Sequence, residues 1–149
     1  MVRAALLSAA CLHLLSGCSP TVAPSGELLE RCISIAELVR ADAELTLALE
    51  SAKASDLGGV VAHSTSARKH EESARQGFGP GDTSGGDSAT NAALVSTVVA
   101  MDQAANVFFD SDVRITNETE SALAKLAEVA HGELIRTQTA ISNLGTPCP

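Results

Sequence analysis

The chain has 149 residues, with 10 basic side chains against 18 acidic ones and a formal net charge of −8. Hydrophobic residues make up 45% of the sequence, but only three residues, all phenylalanines, are aromatic. This length suits one domain with a modest core. The acidic balance and the lack of an aromatic stacking platform argue against nucleic acid as a partner.

The amino terminus has the pattern of an export signal. Arg3 precedes an apolar run from residue 4 to residue 15, and the small residues Ser16 and Gly17 follow. A run of this length is too short to cross a bilayer as a helix, which takes roughly 20 residues. A basic start, a short apolar middle and small residues at the exit predict a signal peptide. The alternative is a buried first helix.

Leu15-Ser16-Gly17-Cys18 resembles the lipobox of bacterial lipoproteins. The resemblance implies that residues 1–17 are removed and that the Cys18 thiol is linked to a diacylglycerol. Residues 18–26 then form a lipidated tether to the membrane, and acyl chains of this kind give stable anchoring. Cys11 fits the pattern less well. We therefore expect a protein in the cell envelope, facing away from the cytoplasm, and Ser19 after the lipidated residue weakly favours the outer membrane.

The cysteine count points to a disulfide. If Cys11 leaves with the signal and Cys18 takes the lipid, Cys32 and Cys148 remain. An even pair in an exported chain is most simply a disulfide. The alternative is two unpaired thiols.

Two helices are predicted in the first half of the body. The first spans about 27–54 and ends before Gly58 and Gly59, with a proposed solvent stripe that includes Ser34, Glu37, Ala41, Glu44 and Ala48. The second spans 60–76 and is expected to pack only marginally. Its best stripe is Val60, His63, Ala67, His70 and Ala74, opposite a charged side with Arg68, Lys69, Glu71, Glu72 and Arg75. Residues 77–88 are glycine-rich and predict a flexible loop.

Two further helices complete an all-α domain over residues 27–149. The third spans about 89–109 and has the most apolar stripe of the chain. The fourth runs from Asn117 to about Asn143, along an apolar stripe of Leu123, Leu126, Ala130, Leu134 and Ile141. Asn117-Glu118-Thr119-Glu120 resembles a capping box, although the helix could also begin near Ser111. Four helices with short links predict an up-down-up-down bundle. This topology brings Cys32 and Cys148 to one end.

Three histidines and nearby carboxylates are the only candidates for a polar or metal site. Glu128-x-x-His131 has the spacing used in di-iron helical bundles. His63 and His70 share a helix face, and Asp42 is expected opposite residue 72, within reach of His70 or Arg68. A structural contact that fixes helix register, a pH-responsive pair and a metal site all remain open. No cofactor is expected.

The sequence thus predicts an envelope lipoprotein whose body is a non-enzymatic binding or structural module. It would contact another envelope protein through a helix face. The second hypothesis is a small-ligand or metal-binding bundle that uses His63, His70 and His131. An enzyme is the third.

Overall fold

The computed structural model describes residues 26–77, 88–107, 115–143 and 148. These residues form four helices: α1 (Gly26–Lys53), α2 (Leu57–Gln76), α3 (Ser88–Asn106) and α4 (Asn117–Ser142). Each helix packs against the next, and α4 also packs against α1. The all-α class and the up-down four-helix bundle are therefore confirmed. The predicted signal peptide, the residues before 26 and most of the glycine-rich loop lie outside the described residues.

The turn between α1 and α2 is formed by Ser55 and Asp56, ahead of the two glycines. Ser55 has a φ of 58°, and Asp56 caps α2 by accepting a hydrogen bond from the Gly59 amide at 3.0 Å. Gly58 and Gly59 therefore belong to the first turn of α2. A Cβ on Gly59 would lie 2.5 Å from Oγ of Ser51, so glycine is needed here for close approach of the two helices.

The ends of the other two helices also differ slightly from the predictions. Thr116, not Asn117, caps α4: its hydroxyl accepts from the Thr119 amide at 3.2 Å, and the Thr119 hydroxyl accepts from the Thr116 amide at 2.8 Å. The capping box is thus shifted by one residue and uses threonine in place of glutamate. The third helix ends at Asn106, and Phe108 and Phe109 lie outside the described residues.

The interface between α1 and α2 is the most extensive in the bundle. It is built from small residues at every seventh position, all with 0% exposure: Ser34, Ala41 and Ala48 on α1, and Val60, Ala67 and Ala74 on α2. The Ser34 hydroxyl donates to the carbonyl oxygen of Ala74 at 3.0 Å, which only closely packed helices allow. The prediction that this face of α1 meets solvent is wrong, because α2 and α4 cover α1 from two sides. The prediction that α2 packs only marginally is also wrong, because its small residues allow extensive contact with α1.

Larger aliphatic side chains fill the centre of the bundle. Leu38, Leu45, Leu94, Met101, Leu123 and Ile141 are all fully buried. The predicted apolar stripe of α4 is confirmed, with Leu126 partly buried beside this core. One polar pair crosses the α3–α4 interface within it: the hydroxyls of Thr97 and Thr137 lie 2.9 Å apart.

A disulfide joins the two ends of the body, as predicted. The Sγ atoms of Cys32 and Cys148 are 2.13 Å apart, and the two residues are separated by 116 positions in the chain. Because the number of helices is even, α1 begins and α4 ends at the same end of the bundle. Among the described helices, none has an apolar stretch long enough to cross a bilayer.

Candidate functional site

All three histidines in the described part of the chain contact carboxylates of α1. Nδ1 of His63 lies 2.7 Å from Glu44, and Nδ1 of His70 lies 2.7 Å from Glu37. A carboxylate only accepts hydrogen bonds, so the ring nitrogen is the donor in each pair. Glu37 and Glu44 are seven residues apart, as are His63 and His70, so the two pairs form parallel rungs across the α1–α2 interface.

Asp42 has a different partner from the one expected. Its carboxylate lies 2.8 Å from Nδ1 of His131 on α4, whereas His70 pairs with Glu37. The physical reason is the rotation of α1: Glu37 and Glu44 border α2, whereas Asp42 lies on the side that borders α4. The prediction that Glu37 and Glu44 lie on the solvent side of α1 is wrong for the same reason.

These pairs fit a structural role better than a metal site. Each histidine uses one nitrogen for a different carboxylate, and His131 is 58% exposed. Glu128, the other member of the predicted motif, is exposed on α4. Within the described ranges, no three histidine, cysteine or acidic side chains are grouped so that they could hold a metal ion. Among the residues described, the three histidines thus mark the α1–α2 and α1–α4 interfaces.

A second polar site, which the helical periodicity of the sequence did not predict, lies between α2 and α3. Here an open groove of about 590 Å³, hereafter the α2–α3 groove, is lined by Thr65 and by charged side chains of both signs. The basic ones are Arg68, Lys69 and Arg75, and the acidic ones are Glu71, Glu72 and Asp102. The groove therefore offers donors and acceptors for a polar ligand in one place.

Glu71 is the unusual member of this group. The sequence placed it on the charged outer side of α2, but the residue is only 2% exposed, and Oε1 has no hydrogen-bond partner. Burial, followed by the nearby charge of Asp102, raises the pKa of Glu71 to about 8, although Arg75 and Arg68 act in the opposite direction. Glu71 is therefore mostly protonated at neutral pH.

One signal in the sequence does reveal this burial. The buried residues of α2 are Val60, Ser64, Ala67, Glu71 and Ala74, which follow each other at alternating spacings of four and three. That spacing defines a single helix face directed at the core. A stripe drawn through these small residues passes through Glu71 and leaves the two histidines on its border.

Comparison of the chain with protein-family models, curated proteins and solved structures gives no match.

Proposed function

We propose that the protein is a bacterial cell-envelope lipoprotein, anchored by a lipid on Cys18, whose helical bundle acts as a non-enzymatic binding or structural module. The observation on which this proposal depends is the Cys32–Cys148 disulfide. Structural disulfides persist in oxidising compartments and are rare in the cytosol of mesophiles. The bridge thus supports export, which is also what the amino-terminal pattern predicts.

The disulfide also supports the assignment of the lipid to Cys18. Of the four cysteines, Cys32 and Cys148 are joined, which leaves Cys11 and Cys18 for other roles. Cys11 lies within the apolar run of the signal, whereas Cys18 follows Leu15, Ser16 and Gly17 as in a lipobox. In this assignment one cysteine belongs to the signal peptide, one carries the lipid and two form the disulfide, so each of the four cysteines has a role.

The fold sets the distance between the body and the anchor. Since α1 begins at Gly26, seven residues, 19–25, lie between it and Cys18, and the chain from Cys18 to Gly26 makes eight steps. Even a fully extended chain of this length spans at most about 30 Å. The end of the bundle that holds the disulfide would therefore lie near the membrane, and the turn between α1 and α2 would point away from it.

The outer face of α1 is the surface that we assign to a protein partner. Leu29, Ile33 and Leu47 are each more than 40% exposed, and they share one side of the helix with Ala36 and Ala43. Exposed aliphatic side chains that line up along a helix mark contact surfaces more often than scattered ones do. A photo-crosslinker at Ala36, compared with one at the exposed Ser121 of α4, tests this assignment: adducts with an envelope protein are expected only at Ala36, and equal adducts at both sites contradict it.

Fractionation of cells tests the anchor. In a bacterial host, the wild-type chain is expected in the membrane fraction and to incorporate labelled fatty acid. Cys18→Ser should abolish the labelling, whereas the matched variant Cys11→Ser should leave both properties unchanged. Labelling that survives in Cys18→Ser, or a wild-type chain that stays unlabelled in the cytosol, would contradict the proposal.

A further inference from the structure

Glu71 occupies a position that the bundle would fill better with an apolar residue. It belongs to the core-facing stripe of α2, and its Oε1 atom has no hydrogen-bond partner. Burial of a carboxyl group without a full set of partners is unfavourable, and an apolar side chain of similar size is usually more stable there. The carboxyl group of Glu71 therefore does not help to stabilise the bundle, whereas binding of a ligand would explain its presence at this position.

The surroundings of Glu71 indicate what the ligand must bring. Asp102 on α3 is close enough to disfavour a negative charge on Glu71, so the two carboxyl groups would share a positively charged donor well. An ammonium group supplies three N–H donors in a small volume, which suits a buried oxygen that lacks a partner.

The rim of the α2–α3 groove has the opposite charge. Arg68 belongs to this rim and, with Arg75, acts to lower the pKa of Glu71. Lys69 and Arg75 are exposed, lie on either side of Glu71 in the sequence of α2, and line the same groove. An anionic group on the ligand would meet these two side chains while the ammonium group occupies the acidic interior. The groove volume of about 590 Å³ falls within the range of small-ligand sites, about 300–1,000 Å³.

We propose that the α2–α3 groove binds a small zwitterion, an α-amino acid or short peptide, with its ammonium group between Glu71 and Asp102 and its carboxylate at Lys69 and Arg75. Binding requires Glu71 to be ionised, so at neutral pH its proton passes to the solvent as the ligand enters. This site does not depend on the lipid anchor, and either proposal can fail without the other.

Isothermal titration calorimetry on the full chain in detergent tests the site. The probes are the standard amino acids and a set of dipeptides, each compared with its N-acetyl derivative, which lacks the ammonium group. We expect saturable binding of at least one probe and at least about tenfold weaker binding of its N-acetyl derivative, since hydrogen bonds to charged groups are the stronger ones. The proposal is overturned if no probe binds at millimolar concentration, or if the acetylated form binds equally well.

Variants and proton release connect the binding to Glu71. Glu71→Gln should weaken binding at least about tenfold, while Glu50→Gln, an exposed change on α1 outside the groove, should not affect it. Titrations at pH 7 in buffers with different ionisation enthalpies should show release of most of one proton per ligand from the wild type, because the pKa of Glu71 is about 8, and no such release from Glu71→Gln. Binding with equal proton release in both proteins, or with none at pH 7, would show that Glu71 is only a hydrated core residue.

Discussion

The burial of Glu71 makes the stability of the bundle depend on pH in a defined direction. Its pKa is raised from 4.5 to about 8 in the folded protein, so between these values the folded chain holds a proton that the unfolded chain has released. The contribution of Glu71 to stability is therefore fully present below about pH 4.5, is lost as the pH rises towards 8, and changes no further above that value.

The size of this effect follows from the shift. One pKa unit corresponds to about 1.4 kcal/mol, and local relaxation and water entry reduce the effective value for a real site. We expect a loss on the order of 3 kcal/mol between pH 4.5 and pH 9. Glu71→Gln replaces the carboxyl with a neutral group of similar shape and removes this decline. The variant should match the wild type at pH 4.5 and exceed its stability by about 3 kcal/mol at pH 9.

Urea denaturation followed by far-ultraviolet circular dichroism at several pH values provides the measurement, with the disulfide intact. Glu72→Gln is the matched control, because its side chain is next in sequence but exposed, and it should keep the wild-type decline. Asp102→Asn should make the decline smaller, since the charge of Asp102 contributes to the raised pKa of Glu71. Equal slopes in the wild type and Glu71→Gln would refute the assignment.

Three further predictions concern the packing of the bundle. Ala41→Leu should destabilise the fold by roughly 1–3 kcal/mol in urea denaturation, because it overpacks the α1–α2 interface, whereas the exposed Ala43→Leu should change little; equal effects would argue against close packing there. Thr97→Val should lower stability by about 1–3 kcal/mol, and combination with Thr137→Val should cost less than the sum of the single changes. Cys32→Ser should cost about 2–5 kcal/mol, and reductant should destabilise the wild type but not this variant.

The sequence predicted those features that depend on hydrophobic periodicity and chain topology. The apolar stripe of α4, which includes Leu123 and Leu134, was identified because large aliphatic residues recur at helical spacing. The Cys32–Cys148 pair was predicted from the cysteine count, and the up-down order of four helices, which places both residues at one end of the bundle, agreed with it. Neither prediction required knowledge of how the helices rotate against each other.

The errors arise where burial does not coincide with hydrophobicity. Ser34 and Ala41 are buried because their small size allows α2 to approach, a property that a search for large apolar residues does not detect. Glu71 was placed with its charged neighbours on the surface because a search for apolar residues also does not detect a buried carboxyl group. Asp42 was paired with the wrong helix because the rotation of α1 about its axis is determined by packing against two neighbours, which the local sequence does not specify.

The intact mass of the protein purified from membranes shows whether the signal is removed and whether Cys18 carries a lipid. We expect a chain that begins at Cys18, carries the added mass of acyl chains on that residue, and lacks the two hydrogens that the Cys32–Cys148 bond removes. A product that retains Met1, or that begins at Cys18 without any lipid, would contradict the assignment of this protein as an anchored envelope lipoprotein.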